Sequence, residues 1–314
     1  MFNKFFLYSL LFWSISFVSI GCDNKDSSRS LEINWTEIEK DLPQGISLYY
    51  GADNKLPLKA WVVKIDGNMS NIKAKVLVSH DTDKRETVEE FVDNTQAVVA
   101  INAGYFLMHM NPTHHVGLLK ADGQLVEPAS ESIIRQNLRY SIARGAFGID
   151  KNNMFDIAWA STKNDSLFEW VKPLNNSNGN PVSNLNFEKA QFWDMEHAVH
   201  AGPVIVHDAK LHVCIDEEVF FGTKIPELHP RTAVGYTRDN SLILVVVDGR
   251  QSDSRGASLE DLANIMLQFD CIEALNLDGG GSSTMVINGE LINRPAGGVS
   301  QREVMSSIAV FVNE

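Results

Sequence analysis

The stretch LNLDGGGSSTM, residues 275–285, places one carboxylate beside three glycines and two serines. Glycine loses more backbone entropy on folding than any other residue, so three in a row need a reason. Successive glycine amides can form a concave nest that holds an anion, and the two hydroxyls would add donors. The pattern is neither a P-loop nor a GxGxxG turn ahead of a helix. It predicts an anionic or oxygen-rich ligand beside Gly279, Gly280, Gly281, Ser282 and Ser283.

Two aspartates follow apolar runs that read as buried strands. Asp248 ends SLILVVVD, and Asp278 ends IEALNLD. If the strand, helix and strand between 241 and 278 form a parallel crossover, both carboxylates lie at the C-terminal ends of neighbouring strands, where ligands gather. Each Asp-Gly could instead be a simple turn. The loop after Asp248 is too long for a tight hairpin, however, and three glycines exceed what a turn requires. Both residues are therefore candidate catalytic groups.

Two arginines flank the same apolar strands. Arg231 and Thr232 open the run RTAVG, and Arg250 follows Asp248 by two residues. The planar guanidinium suits phosphate or carboxylate, to which it gives paired charge-assisted hydrogen bonds. Surface ion pairs are the alternative, including one between Arg250 and Asp248. If Arg231 and Arg250 instead bind a ligand, they predict a substrate that contains phosphate.

Polar residues and glycines also mark two other strand ends. AINAGYF carries Asn102 and Gly104, and HAVHAGPVIV carries His200 and Gly202. The HxxH spacing of His197 and His200 can hold a metal ion on a helix, but no glutamate lies between them, and hydrogen-bonded structural histidines are more common. We therefore expect no cofactor, with a divalent metal ion as the minor alternative.

The elements that must position these residues alternate between strand and helix patterns. Segments from 31 to 78 read as strands, and two Asx-Gly pairs, at 122–123 and 288–289, predict hairpins. Ser258 and Asp261 form a near capping box for a helix with one apolar face. Residues 173–186 are rich in Asn, Ser and Pro and read as a surface loop. We expect an α+β fold, a mixed sheet flanked by helices, with antiparallel N-terminal strands.

The 314-residue chain begins with a short basic head, an apolar run and SIGC, which resembles a bacterial lipobox. This predicts a signal peptide over 1–21, lipid on Cys22, a tether over 22–30, and a protein anchored to a membrane and facing the periplasm or cell exterior. An uncleaved anchor is the alternative. A net charge of −13 argues against nucleic-acid binding. Cys214 and Cys271 could pair or remain separate buried thiols.

Five motifs together resemble the phosphodiester glycosidase family: INAGYF, HAGPVIV, HPRTAVGYTRDNSLILVVVDGR, GASLEDLANIM and ALNLDGGGSSTMVINGELIN. The resemblance spans roughly 97–312 and is densest from 229 to 293. It implies a catalytic domain over 97–314, and the strand patterns ahead of it predict a β-rich N-terminal part over 31–96. The first motif departs from the family, which usually has Asn-Gly-Gly where this chain has Asn-Ala-Gly.

The resemblance implies hydrolysis of a sugar 1-phosphodiester, such as a glycan bearing N-acetylglucosamine 1-phosphodiesters, at the glycosidic C–O bond. Asp248 and Asp278 would flank the anomeric carbon, Arg231, Arg250 and the 279–283 nest would hold the phosphodiester, and Asn102 and His200 would bind the sugar or position water. A phosphodiesterase that cleaves the P–O bond and a non-catalytic glycan-binding lipoprotein remain the alternatives.

Overall fold

The computed structural model describes residues 31–53, 55–298 and 300–313. The expected signal peptide, the lipidated Cys22 and the tether therefore lie outside the described residues. Within the described ranges, 22 strands, two α-helices and three short 3₁₀-helices follow one another along the chain. No helix in these ranges has the length and apolar character needed to cross a membrane.

Strands dominate the chain from one end of the described part to the other. In chain order they are β1 (Asn34–Ile38), β2 (Ile46–Asp53), β3 (Leu58–Asp66), β4 (Ile72–Val78), β5 (Val99–Asn102), β6 (Leu119–Ala121), β7 (Gln124–Glu127), β8 (Ser132–Arg135), β9 (Leu138–Ser141), β10 (Arg144–Ile149), β11 (Phe155–Lys163), β12 (Ser166–Trp170), β13 (Gln191–Phe192), β14 (His197–His200), β15 (Val204–His207), β16 (Lys210–Leu211), β17 (Arg231–Thr237), β18 (Ser241–Val247), β19 (Cys271–Asn276), β20 (Met285–Ile287), β21 (Glu290–Leu291) and β22 (Ser306–Val312). The helices are α1 (Val88–Thr95) and α2 (Leu259–Gln268), and the 3₁₀-helices are Phe187–Lys189, Gly280–Ser282 and Pro295–Gly297.

Three sheets and one separate hairpin contain these strands. The eight-stranded sheet has the order β1-β2-β3-β18-β17-β19-β15-β16, the seven-stranded sheet β13-β12-β11-β10-β14-β6-β7, and the five-stranded sheet β21-β20-β5-β22-β4. β8 pairs with β9 alone. Every strand pair in the described ranges is antiparallel. The expected α+β fold with a mixed sheet flanked by helices is therefore wrong, because the protein is mostly β.

The error began with the expected parallel crossover between β18 and β19. These strands do run in the same direction, but β17 lies between them and is antiparallel to both. In β18 every residue is buried, because alternate side chains enter two different cores: Leu242 and Leu244 face one, Ile243 and Val245 the other. Such a continuous apolar run is also typical of parallel strands covered on both faces.

The eight-stranded sheet therefore has a core on each face. The larger core collects residues from all three large sheets and from α1, while α2 covers the opposite face of the eight-stranded sheet. The N-terminal strands belong to the same sheets as the rest, since β3 pairs with β18 and β4 pairs with β22. This arrangement buries the middle of β17, β18 and β19 and leaves their ends to form an edge.

Local signals in the sequence agree with the structure. The predicted capping box of α2 forms, with the Ser258 side chain accepting from the Asp261 amide at 3.0 Å, and Thr87 caps α1 in the same way. The predicted hairpins are present, and Asp122 and Asn288 take the left-handed backbone with φ of 45° and 50°. Cys214 and Cys271 are separate buried thiols rather than a disulfide.

Candidate active site

One edge of the eight-stranded sheet brings together residues that are far apart in sequence. Asp248 follows the last residue of β18, Asp278 lies just past the end of β19, and Arg231 is the first residue of β17 between them. Because β17 runs antiparallel to its two neighbours, its beginning lies beside their ends. A cavity of about 170 Å³ opens here, lined by Tyr105, Lys224, Ile225, His229, Arg231, Arg250, Leu277, Asp278, Gly279 and Gly280.

Among the described residues that line this cavity, Asp278 is the only one with a carboxyl group. Its Oδ1 accepts one hydrogen bond, from the Gly279 amide at 2.9 Å. Burial raises the pKa of Asp278 to about 6, although the Ser282 hydroxyl, the Gly279 amide and the charge of Arg302 each act to lower it. A carboxyl group with such a pKa can change its protonation state near neutral pH, as catalytic carboxyl groups do.

Cationic side chains form another part of the cavity wall. Arg231 is only 2% exposed, and its guanidinium donates to the carbonyls of Ala257, Ile225 and Glu227 at 2.5–3.0 Å. Burial lowers the pKa of Arg231 to about 10, so the group stays charged at neutral pH. No carboxylate of the described residues lies within 4 Å of this guanidinium. Its charge is therefore available to an anionic ligand.

Arg250 and His229 extend the cationic wall toward solvent. The Arg250 guanidinium is exposed and donates to Nδ1 of His229 at 3.3 Å, while Nε2 of His229 donates to the Lys224 carbonyl at 2.8 Å. Burial and the nearby arginines lower the pKa of His229, which favours the neutral ring. The alternative for Arg250, an ion pair with Asp248, is absent among the ion pairs of the described residues.

The three glycines make room for neighbouring groups. A Cβ on Gly279 would lie 2.8 Å from the Pro230 carbonyl, and one on Gly280 would lie 3.1 Å from Nη2 of Arg250. Gly280 also has a φ of +64°, which disfavours other residues. A Cβ on Gly281 would clash with the Arg302 guanidinium. The run is therefore needed for close packing of a turn against two guanidinium groups.

The amides of this turn are largely engaged inside the protein. Gly279 donates to its neighbour Asp278, Gly280 to the Pro230 carbonyl, Ser282 to Gly279 and Ser283 to Gly280, at 2.9–3.4 Å. An anion-binding nest needs free amides that point at one position. The predicted nest over 279–283 gains no support from these bonds, and the arginine side chains are the better anion ligands.

Asp248 has different surroundings from Asp278. It is 1% exposed, and its Oδ1 accepts hydrogen bonds from the Asn293 side chain and the Arg294 amide, both at 3.0 Å. Burial raises the pKa of Asp248, and these donors act in the opposite direction. Asp248 is not among the residues that line the cavity. Its carboxylate fixes the 293–298 segment in place.

A buried hydrogen-bond network around Asn102 and Thr232 holds the backbone of the Asp278 turn. The Asn102 side-chain amide donates to the Asp278 carbonyl at 2.6 Å, and its Oδ1 accepts from the Thr232 hydroxyl at 2.7 Å and the Thr284 amide at 3.2 Å. Asn102, Thr232 and Thr284 are all fully buried. The network joins β5, β17 and the loop after β19, so these residues position the site and do not line the cavity.

His200, Gly104 and Gly202 form a packed layer beside the site. Both ring nitrogens of His200 are occupied, since Nδ1 accepts from the Leu118 amide and Nε2 donates to the Ala160 carbonyl, each at 3.1 Å. Burial lowers the pKa of His200 to about 3, so the ring is neutral. Gly104 has no room for a Cβ because the His200 carbonyl lies against it. The Gly202 carbonyl accepts from the Tyr105 hydroxyl, 2.7 Å away, which fixes Tyr105 at the cavity wall.

Several residues near the cavity were missed or underused by the sequence interpretation. Lys224 and His229 line the cavity, and Arg302 lies against the Asp278 turn, with Nη1 donating to the Ser282 hydroxyl at 3.4 Å. His229 stands in the motif HPRTAVG and could have been included. Lys224 and Arg302 lie in segments that carry no recognisable pattern, so only the folded chain brings them here.

One cluster in the described ranges has the donors and spacing of a metal site, formed by His207, Asp208 and Glu273. Nδ1 of His207 lies 3.0 Å from a Glu273 oxygen, at the turn between β15 and β16. None of the three residues lines the cavity. The HxxH pair is also unsuited to chelation, because His197 and His200 lie in strand β14 three residues apart and thus point to opposite faces.

Both the sequence and the fold of this chain are similar to those of known proteins. Residues 95–311 match the family model described as phosphodiester glycosidase. N-acetylglucosamine-1-phosphodiester alpha-N-acetylglucosaminidase from Mus musculus is 28% identical over 215 residues, 68% of this chain and 36% of that protein. The protein of the same name from Bos taurus is 26% identical, over 68% of this chain and 35% of its own length. The chain thus spans about a third of the length of these curated relatives.

Two solved structures share the fold. The catalytic domain of the zebrafish N-acetylglucosamine-1-phosphodiester alpha-N-acetylglucosaminidase, auto-inhibited by its pro-peptide, has a TM-score of 0.59 and 22% identity, covering 92% of this chain and 85% of that one. A hypothetical protein from Synechocystis has a TM-score of 0.65 and 16% identity, covering 90% and 68%. With the family model matched over more than half of its residues, this chain belongs to the phosphodiester glycosidase family.

Proposed function

We propose that this protein is an exported hydrolase that cleaves sugar 1-phosphodiesters, of the N-acetylglucosamine 1-phosphodiester type, at the glycosidic C–O bond. Family membership and the names of the curated relatives support the substrate class. The observation that carries the proposal is the cavity itself. Among the described residues, its lining combines one carboxyl group of raised pKa, Asp278, with the side chains of Arg231, Arg250 and Lys224.

This pairing of charges fits the two halves of the scissile group. Arg231 and Arg250 bind the phosphodiester anion and neutralise the charge that grows on it as the C–O bond breaks. Phosphate is already a good leaving group, so it needs little help from a general acid. The remaining requirement is a carboxylate at the anomeric carbon, which stabilises an oxocarbenium-like transition state and acts as nucleophile or base.

Asp278 is suited to that second task. With a pKa of about 6, it is mostly ionised at pH 7 and still basic enough to accept a proton or attack carbon. Asp248 accepts hydrogen bonds from Asn293 and Arg294, so in this proposal it positions the 293–298 segment beside the site. Asn102 and Thr232 hold the Asp278 turn in a fixed position beside the start of β17.

Cleavage of the P–O bond is the competing reaction. Phosphodiesterases usually assemble several carboxylates and histidines around metal ions close to phosphorus. Here the cavity wall supplies one carboxyl group and one histidine, and Nδ1 of that histidine accepts from Arg250. The donor set of the cavity therefore favours glycosidic cleavage.

Hydrolysis in oxygen-18 water separates the two reactions. Protein from residue 23 onward would be given an N-acetylglucosamine 1-phosphodiester, with Asp278→Asn as the matched control. We expect label in the sugar and none in the phosphate, and no labelled product from the variant. Label in the phosphate would replace the proposal with a phosphodiesterase. Absence of turnover on a panel of sugar 1-phosphodiesters, with and without Mg²⁺ or Ca²⁺, would instead support the glycan-binding alternative.

Export and lipid attachment are a separate part of the proposal, supported by the N-terminal sequence alone. Full-length protein expressed in a bacterium should fractionate with membranes and carry a diacylglycerol thioether on Cys22, detected by mass spectrometry of the mature N-terminus. Cys22→Ser should block lipid attachment and leave the signal segment uncleaved. A mature protein of native sequence without lipid would refute this part and leave the proposed chemistry untouched.

A further inference from the structure

A second recessed surface, separate from the cavity described above, lies on the outer strands of the seven-stranded sheet. Strand β12 and the chain from 171 to 190 enclose two cavities of about 480 and 600 Å³. The two cavities share Asn184 and Asn186 in their walls, so they adjoin and together make up one trough. Much of the wall comes from the Asn- and Pro-rich loop 173–186.

Aromatic rings form the floor of this trough. Along β12, Phe168 and Trp170 point to one face, and both pack against Phe187 with ring centroids 5.5 and 5.3 Å apart. At the rim, Phe192 is 62% exposed and lies 6.2 Å from Phe168, and Val171 is 66% exposed. Exposed apolar groups clustered around a recess are characteristic of binding sites.

The polar groups around these rings are predominantly cationic and amide. Lys163, Lys172 and Lys189 line the two cavities, with Glu188 as the one acidic residue among the described lining residues. Nζ of Lys163 lies 5.1 Å from the centre of the Phe187 ring. This local excess of positive charge stands out in a chain of net charge −13. The side chains of Asn175 and Asn184 are exposed at the rim.

We propose that this trough, which we call the aromatic-lysine trough, binds a sugar-phosphate polymer. Aromatic rings offer apolar contact to sugar faces, amide groups of asparagine match sugar hydroxyls, and lysines attract the repeating phosphates. The cavity beside Asp278 holds only about 170 Å³, which is enough for the scissile group but not for a chain. A polymeric substrate therefore needs a second point of attachment. The choice of polymer rests on the proposed function, whereas the presence of the trough does not.

Binding should be measured on the Asp278→Asn background, so that a substrate polymer is not consumed. The probes are a short poly(N-acetylglucosamine 1-phosphate) and a neutral chito-oligosaccharide of equal length, titrated by calorimetry. We expect the charged polymer to bind more tightly and its affinity to fall with added salt. Phe192→Ala combined with Lys172→Ala should weaken it by about tenfold, since exposed aromatic and cationic anchors dominate such contacts.

Two control variants match these changes elsewhere on the surface. Met154→Ala removes an exposed apolar side chain and Lys151→Ala an exposed lysine, both at the turn before β11. Neither should alter binding. The trough variants should leave kcat/KM on a small soluble sugar phosphodiester unchanged, so failure of the trough and failure of the proposed activity are read separately.

Three results would overturn the inference. The first is equal affinity of the trough variants and the parent for the charged polymer. The second is equal binding of the neutral and charged polymers, which would remove the role of the lysines. The third is a concentration-dependent dimer, seen by light scattering and abolished by Phe192→Ala, which would identify the trough as an interface between two copies of the chain.

Discussion

Asp248 and Asp278 have the same place in the sequence pattern but opposite environments in the folded protein. Each follows a buried strand of the same sheet and precedes a glycine. Asp248 is 1% exposed and accepts hydrogen bonds from Asn293 and Arg294, whereas Asp278 is partly exposed to the cavity, and its donors, the Gly279 amide and the Ser282 hydroxyl, belong to its own turn. A carboxylate whose donors come from a distant segment anchors that segment, whereas a carboxylate that faces a cavity can meet a ligand.

The difference arises from what lies in front of each strand end. Beyond β18 the chain folds back and the 293–298 segment closes over Asp248. Beyond β19 the glycine turn packs against Pro230 and the two arginines and leaves the Asp278 carboxylate facing the cavity. The experiments below test whether this contrast separates a catalytic carboxyl group from a positioning one.

Replacing the reactive carboxylate should produce the largest effect. Asp278→Asn keeps the shape of the side chain but removes its charge and basicity, so kcat on a sugar 1-phosphodiester should fall by about 10³-fold or more. The melting temperature should stay the same or rise slightly, because a half-buried charge is removed. If the variant retained activity within about tenfold of the parent, Asp278 would not be the catalytic carboxyl group.

Replacing the anchoring carboxylate should act first on stability. Asp248→Ala leaves the Arg294 amide and the Asn293 side chain without their acceptor, which should cost about 1–3 kcal/mol in the free energy of unfolding for each buried donor. Urea unfolding measures this loss directly. Activity should fall less than in Asp278→Asn. Full stability together with complete loss of activity would show that Asp248 takes part in the chemistry.

Removing a phosphate ligand should affect substrate binding more than turnover. Arg250→Ala should raise KM by about tenfold or more, the contribution of one charge-assisted hydrogen bond, while kcat changes less. Arg238→Ala is a matched control, because this exposed arginine lies outside the cavity. An unchanged KM for Arg250→Ala would remove this arginine from the anion site.

A change of pH near neutrality should have the smallest effect on activity of the changes considered. The pKa of Asp278 is raised to about 6, and the ionised form is the reactive one in the proposed mechanism. Log kcat/KM should therefore be flat above about pH 7 and fall by about one unit per pH unit below pH 6. Activity that rises as the pH drops through 6 would mean that Asp278 acts as an acid.

The local elements of this fold could be predicted from sequence, and the sheet order could not. Capping at Ser258 and the Asn288–Gly289 turn depend on a few adjacent residues, so their patterns are sufficient. The insertion of β17 between β18 and β19 depends on pairing across distant segments. Since β18 is buried on both faces, its run of apolar residues carried no alternation that would reveal antiparallel pairing.

The candidate site shows the same division. Asp278 and Arg231 could be chosen from sequence because each stands at the end of an apolar strand beside an unusual neighbour. The reason for the three glycines could not, because it depends on Arg302, which lies 21 residues beyond Gly281 in sequence. The engagement of the Gly280 amide likewise depends on the Pro230 carbonyl, which only the folded chain brings to this turn.

Chemical rescue tests the contrast between the two aspartates most directly. Asp278→Ala and Asp248→Ala would be assayed side by side with azide or formate, small anions that can occupy the space of a deleted carboxylate. We expect these anions to restore turnover, as glycosyl azide or free sugar, in the Asp278 variant and to leave the Asp248 variant unchanged. Rescue of Asp248→Ala without rescue of Asp278→Ala would place the reaction at the other aspartate and contradict this account.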